Sequence, residues 1–113
     1  MRLIAEPIEL AELKRMAEQG FGTLVKAVVD VEAGIMAVDA ELHADEEAFL
    51  LERGSAQADV WGINLYPDVE GDDWLEFDSM INLRPASGNP GRGVGDPAVR
   101  ERIRAVVARL VRR

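Results

Sequence analysis

Residues 23–42 read TLVKAVVDVEAGIMAVDAEL, and this stretch decides the fold. Over residues 23–32 the odd-numbered positions from 25 onward are Val, Ala, Val and Val, which is the alternation of a strand buried mostly on one side. Gly34 lies in a short turn, and residues 35–42 then predict the returning strand of a hairpin. This stretch therefore predicts an antiparallel β-hairpin.

Helical periodicity precedes this hairpin. Residues 8–18 place Leu10, Leu13 and Ala17 on one stripe, and Gly20 follows where a helix ends. This pattern predicts an N-terminal amphipathic helix.

A second helix is predicted near the C-terminus. Asp96-Pro97 places a capping carboxylate before a proline at the first helical position. Apolar residues then recur at spacings of four, three and four, at Val99, Ile103, Val106 and Leu110. This pattern predicts a terminal amphipathic helix.

Residues 43–54 allow two interpretations. Asp45 can cap a helix and Gly54 can end one, which favours a helix of two to three turns. The apolar run at residues 49–51 also fits a third strand, because periodicity does not assign so short a run.

Two further alternating stretches predict a second hairpin. Residues 61–66 form one strand and residues 74–84 form the longest strand, joined by a loop at residues 67–73. If these strands pair, period-two geometry gathers five polar residues on one surface: Asn64, Tyr66, Asp78, Asn82 and Arg84.

The predicted fold class is α+β. The chain has 113 residues, the size of one domain, so a single domain over residues 1–113 is expected. The element order is αββαββα, with about four antiparallel strands in one sheet and helices at the N-terminus, middle and C-terminus.

Composition excludes several function classes. The chain has no cysteine, so it has no disulfide framework, thiolate metal site or cysteine nucleophile. No stretch resembles a signal peptide or a membrane span, so we expect a cytoplasmic protein with no membrane partner. No cofactor is expected, because the chain lacks a dinucleotide fingerprint and a Walker pattern.

The net charge of −8 is unevenly distributed. Residues 1–83 carry five basic and 19 acidic side chains, a net of −14, whereas residues 84–113 carry eight arginines and two acidic side chains, a net of +6. The favoured interpretation is that the basic tail lies across the acidic body, with nucleic-acid binding the less favoured alternative.

The glycine-rich segment at residues 85–95 is the main candidate for ligand binding. Arg84, Asn89 and Arg92 bracket or lie within it, and such side chains beside free backbone N–H groups can hold a carboxylate or phosphate. Together with the polar surface of the second hairpin they form the predicted ligand-binding set. An ordinary connection and a solvated sheet face would look the same.

A second candidate site surrounds the only histidine. His43, Asp45 and Glu47, together with Glu46, could supply a weak oxygen-rich metal site or a general base. If a helix begins at Asp45, these acids are instead charges that favour its N-terminus.

Several segments resemble a prokaryotic family of small single-domain proteins, domain-of-unknown-function family 5674. The resemblance lies in four segments and two later residues: ELHADEE at 41–47, LLERGS at 50–55, VWGIN at 60–64, DSMINLRP at 78–85, Asn89 and Arg92. In that family the last segment ends in Asn-Arg-Ser, whereas this chain has Asn-Pro-Gly-Arg at 89–92. The resemblance implies one small domain and brings no established activity.

Three hypotheses for the function follow. The first is a binding or regulatory module, expected to be a homo-oligomer, that recognises a small anionic ligand or a protein segment. The second is a small metal-assisted hydrolase that uses the cluster around His43. The third is RNA binding through the arginine-rich last helix. The sequence does not decide between an enzyme and a binding module.

Overall fold

A five-stranded antiparallel sheet forms the centre of the protein, which is described over residues 1–113 by a computed structural model. In chain order the strands are β1 (Arg2–Ile4), β2 (Ile8–Glu9), β3 (Val25–Asp30), β4 (Ile35–Val38), β5 (Val60–Leu65), β6 (Leu75–Glu76) and β7 (Val111–Arg112), and the helices are α1 (Leu10–Gln19), α2 (His43–Glu52) and α3 (Pro97–Leu110). The sheet order is β1-β4-β3-β5-β6, and β2 pairs with β7 in a separate parallel ribbon.

The α+β class and the antiparallel sheet are confirmed, while the strand count and the element order differ. The predicted order αββαββα omitted β1, β2 and β7. Each of these strands has only two or three residues, too few to show a period. Ile8 and Glu9, predicted as the start of a helix, instead pair with Val111 and Arg112.

The predicted hairpin is present as β3 and β4. Asp30 organises its turn: its Oδ1 accepts hydrogen bonds from the backbone N–H groups of Glu32 and Ala33, each at 2.9 Å. Gly34 has a φ of 70°, a conformation that glycine adopts without strain. The strands are shorter than predicted: β3 ends at Asp30, where the turn begins, and β4 ends at Val38, before Asp39 with its φ of 70°.

Both faces of the sheet are covered by helices. Helices α1 and α3 pack on one face and form a continuous apolar core of 19 buried residues, which includes Leu13, Val29 and Ile103. Helix α2 packs on the opposite face, where the apolar core has only four buried residues: Val28, Ala37, Leu50 and Val60. The sheet is therefore the middle layer of the domain.

Residues 43–52 form a helix, not a third strand. The buried positions of α2 are His43, Glu46 and Leu50, at spacings of three and four, so they form one stripe towards the sheet. Two members of this stripe are polar, which explains why its apolar period is weak in the sequence.

The strand predicted over residues 74–84 is wrong beyond Glu76. After β6 the chain passes into a 3₁₀ turn at Met80–Asn82. The Asn82 side chain replaces the sheet ladder here: its Oδ1 accepts from Gly62 N–H at 2.9 Å and its Nδ2 donates to Gly62 O at 3.0 Å. A side-chain amide thus satisfies the backbone of β5 that a longer partner strand would have paired.

The predicted last helix is present as α3. Asp96 Oδ1 accepts from Ala98 N–H at 2.9 Å, and Pro97 occupies the first turn. The buried side chains Ile103, Val106 and Leu110 belong to the apolar stripe identified in the sequence, although Val99 is only partly buried.

Candidate functional site

A pocket of about 160 Å³ lies between the start of α2, β3 and the segment after β6. Its polar lining consists of Lys26, His43, Ser79 and Arg92, and its apolar lining consists of Leu42, Ala44, Met80 and Ile81. We call this cavity the Lys26 pocket. It combines one residue from each candidate site of the sequence, Arg92 and His43, with six residues that neither site contained.

Hydrogen bonds to β5 and to the loop hold the walls of the Lys26 pocket. His43 Nε2–H donates to the carbonyl of Ile63 at 2.7 Å, which ties the first residue of α2 to β5. The backbone N–H of Ser79 donates to the carbonyl of Arg92 at 3.0 Å, and Asn82 Nδ2 donates to the same carbonyl at 3.0 Å. These contacts place Arg92 in the wall of the same pocket that Lys26 lines.

Lys26 is a functional candidate that sequence reasoning missed. It lies in β3 directly opposite Asn64 of β5, and its side chain is partly buried. Its ammonium forms no ion pair and no hydrogen bond within the protein, and its nearest aromatic partner is Phe21, with a distance of 5.2 Å from Nζ to the ring centroid. The available signal was its place on the polar side of the predicted strand, as one of only two lysines.

Arg92 lies beside a single carboxylate. Its Nε donates to Asp78 Oδ1 at 2.7 Å, and this is its only side-chain hydrogen bond in the protein. The two terminal nitrogens of the guanidinium therefore remain available, and its side chain is about half exposed.

Two more of the predicted ligand-binding residues, Asn64 and Tyr66, share a carboxylate partner and do not line the Lys26 pocket. Asn64 Nδ2 donates to Glu76 Oε1 at 2.9 Å and to the carbonyl of Asp78 at 3.3 Å. Tyr66 donates to the same Glu76 oxygen at 3.1 Å. The Asn64 Oδ1 atom is buried and has no hydrogen-bond partner. Burial, together with the neighbouring carboxylate of Glu76, raises the pKa of the Tyr66 phenol.

Asn82 and Asn89, predicted to contact a ligand, are instead occupied with the backbone. Asn89 Nδ2 donates to the carbonyls of Asn82 at 2.7 Å and Gly93 at 2.8 Å, and its Oδ1 accepts from Gly95 N–H at 2.9 Å. Both side chains are buried. They hold residues 85–95 in place and do not line the Lys26 pocket.

Arg84 also lies apart from the Lys26 pocket. Its guanidinium donates to the carbonyls of Ile81 and Val60 and stacks on the Trp61 ring at 4.5 Å from the centroid. Glu47 Oε2 is 3.8 Å from Arg84 Nη2, and burial raises the pKa of Glu47 while it lowers that of Arg84. Arg84 thus joins β5 to the loop, a structural role that the sequence did not reveal.

The residues predicted to hold a metal do not converge. His43 is buried and bonded to Ile63, Asp45 is exposed, and Glu47 approaches Arg84. No group of three or more histidine and acidic side chains is arranged to hold a metal ion.

Burial lowers the pKa of His43, and the nearby cations Lys26 and Arg92 lower it further, against the raising effect of its bond to Ile63. The imidazole is therefore neutral at pH 7. Because its Nε2 carries the donated proton, its Nδ1 is an acceptor.

Glu46, which the sequence analysis grouped with the acidic residues around His43, has a buried position that the sequence did not indicate. Its side chain is fully buried below α2, its Oε2 accepts from the backbone N–H of Ala40 at 3.1 Å, and its Oε1 has no partner. Burial raises its pKa to about 9, so the carboxyl is protonated at neutral pH. Its position on the buried stripe becomes visible only when the helical register is known.

Most of the arginines of α3 contact the protein itself. Arg102 donates to Glu32 Oε2 at 3.2 Å, Arg109 donates to the carbonyl of Gly34, and Arg100 donates to the carbonyl of Val94 at 2.8 Å. Arg112 Nη1 is 3.8 Å from Glu9 Oε1. The basic tail therefore lies across the acidic body, as the favoured interpretation of the charge asymmetry predicted.

A family model described as "Protein of unknown function (DUF5674)" matches residues 2–110. The chain belongs to this family. The match extends over nearly the whole chain and confirms the resemblance seen in its segments, so the Lys26 pocket lies entirely within the family domain. No curated protein and no solved structure matches the chain. None of its helices is long and apolar enough to span a membrane.

Proposed function

We propose that this member of the family is a binding module that recognises a small anion in the Lys26 pocket. The observation that carries the proposal is the Lys26 side chain, which is partly buried, lines the pocket and forms no ion pair with a carboxylate. In a protein with a net charge of −8, such a cation beside an arginine is the feature expected of an anion site.

The charges around the pocket favour a ligand with one negative charge. Arg92 and Asp78 form a pair of zero net charge, and His43 is neutral at pH 7. Among the residues that line the pocket, Lys26 then carries the one positive charge that no ion pair balances. The free guanidinium nitrogens of Arg92 and the hydroxyl of Ser79 add hydrogen-bond donors.

The size of the cavity favours a small ligand over an extended protein segment. Sites for drug-sized ligands occupy roughly 300–1,000 Å³, whereas this pocket has about 160 Å³. A carboxylate or a phosphate group with few additional atoms fits this volume.

Titration with acetate and with inorganic phosphate at constant ionic strength tests the proposal. His43 is the only histidine, so its ring ¹H–¹⁵N signal reports from the wall of the pocket. We expect saturable shifts of this signal in the wild type and at least about a tenfold loss of affinity in Lys26→Met, since a charge-assisted contact contributes roughly 1.5–3 kcal/mol.

The matched control for Lys26→Met is Lys14→Met. Lys14 is the other lysine, and its side chain is exposed and pairs with Asp68 at 3.5 Å, away from the pocket. Equal binding by the wild type and by Lys26→Met would contradict the proposal.

A cytoplasmic location and self-association stay predictions of the sequence. Cell fractionation measures the first, and sedimentation equilibrium measures the second.

A further inference from the structure

We infer that the ligand of the Lys26 pocket is a short amphiphilic carboxylate, with an apolar group beside its single negative charge. This inference rests on the anion-binding function proposed above. It adds a chemical class to that function, and it follows from the apolar half of the pocket rather than from its cations.

The rim of the pocket carries the two most exposed large apolar side chains of the protein. Met80 is 61% exposed and Leu42 is 57% exposed, and both line the pocket. Single exposed apolar residues are common on protein surfaces and need no explanation. Two of them at the mouth of one cavity, beside Lys26 and Arg92, form a surface that an apolar group of a bound anion would cover.

Hydrogen bonds of neighbouring residues fix the backbone that presents Leu42 and Met80. Leu42 directly precedes His43, which is tied to Ile63 of β5. Met80 lies between Ser79, whose N–H donates to the carbonyl of Arg92, and the turn closed by Asn82. Both side chains are therefore presented by fixed backbone. Methionine is also adaptable in shape, which suits contact with a flexible ligand chain.

The size of the cavity favours a short ligand. Its volume of about 160 Å³ is well below the roughly 300–1,000 Å³ of sites for drug-sized ligands, so a carboxylate with few carbons fits the cavity. Further methylenes would extend along Met80 and Leu42 at the rim.

A series of straight-chain carboxylates tests the inference. Acetate, propionate, butyrate and hexanoate are titrated into the wild type, with inorganic phosphate as the anion without an apolar group. Each added methylene that leaves water should raise the affinity about two- to fourfold. We expect affinity to rise along the series, with the His43 ring signal as the reporter of binding.

The double variant Leu42→Ser Met80→Ser should flatten this rise, so that hexanoate loses several times more affinity than acetate, because both side chains are apolar and neither carries the charge that holds the carboxylate. The control Leu51→Ser changes an exposed leucine of α2 outside the pocket and should keep the rise. Circular dichroism checks that the variants remain folded.

The outcomes separate this inference from the function on which it rests. If phosphate or acetate binds but affinity does not increase with chain length, the anion site stands and the amphiphilic ligand is wrong. A rise that persists in Leu42→Ser Met80→Ser also overturns the inference. If neither phosphate nor any carboxylate binds, the proposed function fails and this inference fails with it.

Sedimentation equilibrium tests whether a second copy of the chain, and not a ligand, covers the rim of the pocket. If the wild type is a dimer and Leu42→Ser Met80→Ser is a monomer, a second copy of the chain covers these side chains, and the inference is wrong.

Discussion

The two faces of the central sheet are packed in different ways. Towards α1 and α3, a continuous apolar core of 19 buried residues fills the space. Towards α2, only four buried apolar residues form a core, and the buried polar side chains His43, Glu46, Asn64 and Asn82 lie on this side.

This difference separates a face that stabilises the fold from a face that is suited to a site. Burying polar groups costs free energy unless each one finds a partner, so a face built only for stability would be apolar. On the α2 face, Glu46 Oε1 and Asn64 Oδ1 are buried without partners, and Lys26 forms no ion pair. The α2 face therefore contains polar groups that cost folding free energy, and the Lys26 pocket lies on this face.

The largest expected effect concerns the protonated carboxyl of Glu46, which is buried below α2. Its pKa of about 9 in the folded protein lies above the usual value of 4.5, so the unfolded chain releases this proton first and folding stability falls as pH rises from about 4.5 to about 9. Glu46→Gln removes this loss. The variant should match the wild type near pH 5 and exceed it by up to about 4 kcal/mol at pH 8.

Urea unfolding of the wild type and Glu46→Gln at pH 5, 6.5 and 8 measures this difference. Glu52→Gln, an exposed change on the same helix, serves as the control and should show no such trend. A constant difference between the wild type and Glu46→Gln at all three pH values would show that the carboxyl does not titrate as described.

The next effect concerns the side-chain amide that replaces the sheet ladder. Asn82→Ala leaves the N–H and carbonyl of Gly62 unpaired in the interior and removes one of the two donors to the carbonyl of Arg92. Unpaired buried groups cost roughly 1–3 kcal/mol each, so we expect a loss of about 3 kcal/mol.

Chemical denaturation measures this loss, and Gln19→Ala, an exposed amide at the end of α1, should change stability by less than about 0.5 kcal/mol. Because Asn82 also positions Arg92, acetate binding should weaken in Asn82→Ala. Stability within error of the wild type would mean that the polar side of the sheet does not depend on this amide.

The smallest of the three effects concerns the close approach of Ser79 to the backbone of β5 at Gly62. A Cβ at Gly62 would lie 2.5 Å from Ser79 Cβ and 2.5 Å from Ser79 Oγ, so Gly62→Ala should destabilise the fold by about 2 kcal/mol. Gly91→Ala is the matched control, since its nearest neighbour would be at 3.9 Å. Thermal unfolding of both variants measures the contrast, and equal melting temperatures would contradict it.

The sequence predicted the elements whose causes are local. The alternation in β3, the turn at Gly34 and the cap at Asp96 each depend on residues a few positions apart, and all three are present. The sequence also predicted the pairing of residues 61–66 with the next strand, and β5 and β6 do pair antiparallel.

The wrong predictions arise from contacts between residues that are far apart in the chain. Alternation continues through residues 74–84, yet the strand stops at Glu76 because Asn82 bonds to Gly62, 20 residues away in the chain. Arg84, which the sequence grouped with the ligand-binding residues, donates to the carbonyl of Val60 and stacks on the ring of Trp61.

The sequence by itself determined the α+β class, the β3–β4 hairpin, the terminal helix and the family, because period, capping and motif are properties of neighbouring residues. Only the tertiary structure decided that Lys26 and Arg92 line one pocket and that Glu46 is protonated. The first depends on the pairing of β3 with β5, and the second depends on the exclusion of water by α2. Register and desolvation arise from the packing of the whole chain, so no local pattern encodes them.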